Sequence, residues 1–164
     1  MTLLYLHGLH SKPGGFKPTF LRNAGFDVLN AALPDDDFAE SVRRAQEAFD
    51  RGRPHVVVGS SRGGAVALNI ETGDVPVVLI APAWRRWGSA DRARPRTIVL
   101  HSDADDVIPI ADSRDLIARS GLPAGALVVV GADHNMTDPE ALAALLSAIR
   151  NAASDRTIGT TPTE

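Results

Sequence analysis

Short, almost unbroken apolar runs recur along the chain at TLLYL (2–6), VVV (56–58), VPVVLIA (75–81), TIVLH (97–101) and ALVVV (126–130), with a weaker one at FDVLNAALP (26–34). A strand with one face in water alternates apolar and polar residues, whereas a strand buried on both faces of a parallel sheet does not. Between these runs, apolar residues recur at helical period over 16–24, 35–49, 62–71, 110–121 and 138–152. Strand and helix therefore alternate. The pattern predicts βαβ units with right-handed crossovers, assembled into an α/β, doubly wound, mostly parallel sheet of about six strands with helices on both faces. No repeat or linker divides it, so one domain is expected over 1–152. The polar stretch that closes the chain predicts a flexible tail at 153–164. The three aspartates 35–37 stand just before a helical run, where carboxylates cap the helix and complement its dipole.

Composition narrows the possible chemistry. A chain of 164 residues, 44% of them apolar, buries roughly 70% of its unfolded surface and needs neither metal nor disulfide to hold together. It has no cysteine, which removes thiolate nucleophiles and cysteine-based zinc sites. With 17 basic and 20 acidic residues and a net charge of −3, it has no basic block to displace counterions from a nucleic acid. The N-terminus lacks the basic start and long apolar core of a signal peptide, and no apolar run is long enough to cross a membrane. The expectation is a soluble, cytoplasmic protein without nucleic-acid or membrane partners. No motif calls for a cofactor.

One short stretch stands out: GSSRG (59–63), where the strand at 56–58 gives way to a helical run. It fits G-x-S-x-G, in which a serine sits on a turn so sharp that side chains two residues before or after it would collide. Gly59 and Gly63 satisfy that demand around Ser61; Val58 and Arg62 would flank Ser60 and do not. A hydroxyl held there projects from the end of a strand above a helix N-terminus, whose amides favour developing negative charge. Ser61 is thus the candidate nucleophile. Walker and dinucleotide-binding glycine patterns are absent.

A serine hydroxyl needs a base to accept its proton and a carboxylate to orient that base. LHSDADDVIP (100–109) sets carboxylates in the loop after one apolar strand, and VVVGADHNM (128–136) delivers His134 after the last. The chain order is serine, aspartate, histidine.

In these motifs and this order, over about residues 2–150, the chain resembles the α/β-hydrolase superfamily, especially its small, lidless, single-domain bacterial esterases. The resemblance implies that His7 and Gly8, in YLHGLH, open an oxyanion loop, and that the amides of Leu9 and Arg62 donate to the oxyanion. It aligns HSDADDVIP with the family's acid loop, making Asp105 the triad acid and Asp103 and Asp106 bystanders, and it aligns GADH with the histidine motif at His134. Ser102 stands where the acid loop usually carries glycine. The connection 82–96, where larger relatives carry a cap, is too short for one, implying a shallow, open pocket.

Other residues carry two readings. The Arg62 side chain either binds a substrate carboxylate or pairs with Asp103 or Asp106, the pairing being the more ordinary use. Trp84 and Trp87 either form an apolar rim or pack against the sheet edge. His7 and His10 lack a third ligand and serve backbone positioning better than a metal. His101, at a strand end, braces the acid loop, and His55 is a surface residue. The expected function is a serine hydrolase that cleaves small carboxylic esters, with thioesters as a variant, through an acyl-enzyme. The alternative is a non-catalytic binding module on the same fold.

Overall fold

The computed structural model describes residues 1–154. Six strands form one sheet: β1 (Thr2–Leu6), β2 (Asp27–Leu29), β3 (Val56–Ser60), β4 (Val77–Ile80), β5 (Thr97–His101) and β6 (Leu127–Val129). They run parallel throughout in the order β2-β1-β3-β4-β5-β6. Five α-helices accompany them, four between strands and one after the last: α1 (Phe16–Asn23), α2 (Phe38–Gly52), α3 (Arg62–Asn69), α4 (Ile110–Arg119) and α5 (Pro139–Ser154).

The unbroken apolar runs are explained by a core on each face. Leu4 and Leu6 of β1, Val57 of β3 and Leu79 of β4 pack with Ala45 of α2, Val66 of α3 and Leu116 of α4. Their neighbours Leu3, Tyr5, Val58 and Ile80 face the other way, against Leu21 of α1 and Leu145 and Ile149 of α5. These three central strands thus bury both of their faces, which polar alternation would have prevented.

From β1 the chain steps outward to β2, then returns to the far side of β1 as β3 and continues from there. The connections that follow β1 and β3 therefore leave in opposite directions. Such a switch point opens a crevice at the carboxyl ends of the two strands.

The weak run at 26–34 yields only three strand residues. Beyond them the chain leaves the sheet to cover the loop after β1: Asn30 donates to the Tyr5 carbonyl and the Leu33 amide donates to His7. Helix α2 starts at Phe38, and Asp37 is its N-cap, accepting from the Glu40 amide at 2.9 Å. Residues 153 and 154, expected in the tail, continue α5; the remainder of that tail lies outside the described residues. Among the described residues, no helix is long and apolar enough to cross a membrane.

Candidate active site

Ser61 joins β3 to α3 with φ 53° and ψ −117°, a conformation that L-residues rarely adopt. The glycines on either side are required sterically. A Cβ on Gly59 would lie 2.6 Å from the Gly63 carbonyl oxygen; one on Gly63 would run into the Leu6 carbonyl and lie 2.6 Å from that of His7. Gly64, whose importance the motif does not signal, is equally confined, with Pro82 Cβ 2.8 Å from where its own Cβ would be. The turn is held by the Ser61 amide, which donates to Ile80, and by the Ser61 carbonyl, which accepts from Gly64, Ala65 and Ala83. Ser60 is buried, and the Tyr5 phenol is pushed up by burial and lowered in part by the Ser60 side chain.

His134 joins the serine to the acid loop. Its Nε2 lies 3.0 Å from Ser61 Oγ and its Nδ1 2.7 Å from Asp105 Oδ2. A carboxylate only accepts, so Nδ1 carries the proton, leaving Nε2 free to accept from the serine hydroxyl. Asp105 Oδ1 takes the amides of Val107 and Ile108, each at 2.8 Å, and Oδ2 is shared by His134 and, at 3.0 Å, by His101. Burial alone would raise the carboxyl; the bonds from Ile108, His134 and Val107 outweigh it and hold it below the ordinary carboxylate range. Asp103 and Asp106 are exposed and make no side-chain bond among the described residues.

His101 is fully buried, with Nε2 against both Asp105 and the Ile108 carbonyl and Nδ1 2.7 Å from Ser113 Oγ. It braces the acid loop as expected. Ser102, at the usual glycine position, has a structural use of its own: its hydroxyl donates to the Gly131 carbonyl and accepts the Ala104 amide, tying the acid loop to the histidine loop.

The loop after β1 lies against this group. The Leu33 amide can only donate, so His7 Nε2 is unprotonated and Nδ1–H donates to the Gly8 carbonyl at 2.9 Å. Because the peptide is trans, pinning the Gly8 oxygen turns the Leu9 N–H the opposite way. A Cβ on Gly8 would touch Ser61 Cβ at 3.4 Å. Neither the Leu9 nor the Arg62 amide has an acceptor among the described residues. His10 is exposed and pairs with Asp35, and His55 accepts from the Thr2 amide.

Two side chains depart from expectation. The Arg62 guanidinium reaches neither Asp103 nor Asp106. It is buried, donates to Ser41 Oγ and the Pro34 carbonyl, and lies 4.8 Å from the Trp87 ring and 5.4 Å from the Phe38 ring. Burial pushes it down and the charges of Asp35, Asp36 and Asp37 pull it back up. With its donors turned to the start of α2, the side chain is committed to packing, although Arg62 still borders the cleft. Trp84 is buried against α4, its indole N–H donating to the Asp112 carbonyl, so it packs beside the sheet and forms no rim. Trp87 does line the cleft.

The cleft has a volume of about 700 Å³ and reaches from the Leu9 loop and α1 to Val107 and His134. Phe16, Leu9 and Val107 stand exposed on it. It is roomier than a shallow dish because α1 adds a wall. Lys17 and Arg86 also line it. The sequence patterns did not single them out, since each is one charge in an ordinary polar stretch. Among the described residues, no three His, Cys, Asp or Glu side chains are grouped to hold a metal ion.

No protein-family model matches the chain, and no curated protein sequence does. Solved structures do match. A lidless α/β serine hydrolase from Xanthomonas campestris is 19% identical with a TM-score of 0.62, the match covering 98% of this chain and 84% of that one. Est1E from Butyrivibrio proteoclasticus is 12% identical with a TM-score of 0.70, over 96% and 88% of the two chains. MGS-MChE2, an α/β-hydrolase enzyme from a lagoon-sediment metagenome, is 15% identical with a TM-score of 0.69, over 95% and 91%. Six parallel strands wound by helices on both faces, together with the likeness to these structures along nearly the whole chain, give this protein the α/β-hydrolase fold.

Proposed function

We propose that the chain is a serine hydrolase that cleaves carboxylic esters, and by the same chemistry thioesters, through an acyl-enzyme. One observation carries the reading: a continuous relay from Ser61 through His134 to a fully hydrogen-bonded Asp105, at 3.0 and 2.7 Å. Ser61 Oγ attacks the acyl carbon as His134 Nε2 takes its proton, and the carbonyl becomes an oxyanion facing the Leu9 and Arg62 amides. Collapse expels the alcohol or thiol, which takes the proton back from His134. Water, deprotonated by the same nitrogen, then releases the acid and restores Ser61. The strained turn supports this reading, since a merely structural serine has no need of it. The names of the similar structures, which include a serine hydrolase, agree with it.

A binding module on this fold would have no use for the full relay. Reaction with a fluorophosphonate probe separates the two: stoichiometric labelling that is lost in Ser61→Ala and kept in Ser60→Ala is expected, together with turnover of p-nitrophenyl butyrate. Absence of both labelling and turnover in the folded protein would leave the binding module as the better reading.

A further inference from the structure

The chain carries more acidic than basic residues, yet among the described residues no aspartate or glutamate lines the cleft, while Lys12, Lys17, Arg62 and Arg86 do. Arg62 is occupied from behind by Ser41 and Pro34. Lys17 and Arg86 are placed differently. Lys17 Nζ donates to the carbonyl of Asn135, the residue after His134. Arg86 Nη2 donates to the carbonyl of Val107, whose amide holds Asp105. One cation is thus fixed on each of the two loops that carry the histidine and the acid.

Neither cation has a carboxylate within ion-pair distance among the described residues. Their acceptors are neutral carbonyls, and each uses one of several N–H donors, three on lysine and five on arginine. Asp133 is the acidic group that Lys17 feels, but its Oδ1 is already engaged by the Asn135 and Met136 amides. Burial pushes the Lys17 ammonium down to about 8. Cations fixed beside a reacting centre, out of ion-pair contact with any carboxylate among the described residues and with further N–H donors to spare, form a receptor for a negative group.

We propose that the substrate carries a carboxylate or phosphate at a distance from its scissile bond, and that Lys17 and Arg86 hold that anion at the mouth of the cleft. This rests on the serine-hydrolase reading above. The anion makes the same contacts before and during acyl transfer, so the pair acts as uniform binding and is felt in KM rather than kcat.

The test compares p-nitrophenyl butyrate with the p-nitrophenyl monoester of glutaric acid, which adds a terminal carboxylate to an acyl chain of similar length. The expected preference for the charged ester in kcat/KM is about tenfold or more, carried by KM and reduced by salt. Lys17→Met and Arg86→Gln should each lower the charged-to-neutral ratio several-fold, and the double variant should abolish it. Arg150→Gln, which removes a charge from the exposed surface of α5, should leave the ratio unchanged. Competition by inorganic phosphate against glutarate identifies which anion is preferred. Equal kcat/KM for the two esters in the unmodified protein, or an unchanged ratio in the double variant, overturns the proposal. If neither ester turns over, the hydrolase reading fails separately, and the anion site is then judged by calorimetric titration of glutarate and phosphate. Heat lost in Lys17→Met supports the site; no heat in the unmodified protein overturns it.

Discussion

His101 and His134 share one oxygen: both imidazoles lie against Oδ2 of Asp105, at 3.0 and 2.7 Å. His101 also faces the Ile108 carbonyl through the same Nε2, so that nitrogen must be the protonated one. The acid is thus fixed by a buried histidine behind it and aimed at the second in front.

Removing the rear donor should loosen the acid without removing it. His101→Leu is expected to lower kcat by about 10- to 100-fold, the equivalent of one hydrogen bond to a charged group. His101→Gln, whose side-chain N–H₂ can still donate to Asp105, should recover most of the loss. Active-site titration with a fluorophosphonate separates slower turnover from a smaller folded fraction. No recovery in the glutamine variant would count against a positioning role.

Asp105→Asn is expected to cut turnover by up to about 10⁴-fold, because the histidine loses the acceptor that selects its tautomer. Asp103→Asn and Asp106→Asn, whose side chains are exposed and unbonded among the described residues, should change it little. The Asp105 carboxyl is held below its ordinary value, so its stabilising contribution is complete above the unfolded value of about 3.9 and is lost as pH falls through the lower folded value. The Tm difference between Asp105→Asn and the unmodified protein should therefore shrink as the pH falls from 5 towards 2.

For Arg62 the expected effect is on stability. Its guanidinium joins α3 to Pro34 and Ser41 at the head of α2 and packs on Trp87. Arg62→Met should lower stability by about 2–3 kcal/mol, since the buried Ser41 hydroxyl and the part-buried Pro34 carbonyl lose a charged donor. Urea unfolding measures this. A selective rise in KM for carboxylate esters, with stability unchanged, would return the side chain to substrate binding.

Lys17 should act on stability in the opposite direction. Its ammonium falls from 10.5 in the free side chain to about 8 in the fold, so between those pH values the unfolded chain binds a proton that the folded chain does not, and stability rises with pH. Below pH 8 the folded protein carries a charge on a half-buried ammonium, at a cost. Lys17→Met is expected to be more stable at pH 7, by at most about 3 kcal/mol, with the advantage disappearing by about pH 10.5. Thermal unfolding at pH 7, 8.5 and 10 gives the trend. A variant less stable at pH 7 would show that the bond to Asn135 matters more than the burial.

Most of the fold could be read from the chain because its causes are local or periodic. Apolar runs without alternation require burial on two faces, and the helical stretches between them require crossovers, so a parallel α/β sheet follows from pattern alone. The same holds for the turn at Ser61, since glycines two residues to either side answer a clash between near neighbours, and for the Asp37 cap, which acts within one helical turn. Asp105, by contrast, needed likeness to a known loop as well as local spacing. What depended on residues far apart in sequence came only with the tertiary structure. Arg62 meets Pro34 and Ser41, Trp84 meets Asp112, Ser102 meets Gly131, and Lys17 meets Asn135, pairs separated by 21 to 118 positions. No periodicity encodes such meetings. A charged or aromatic side chain in a loop has many partners within reach of its chain length, and the one it takes is decided by which strands the sheet order sets side by side.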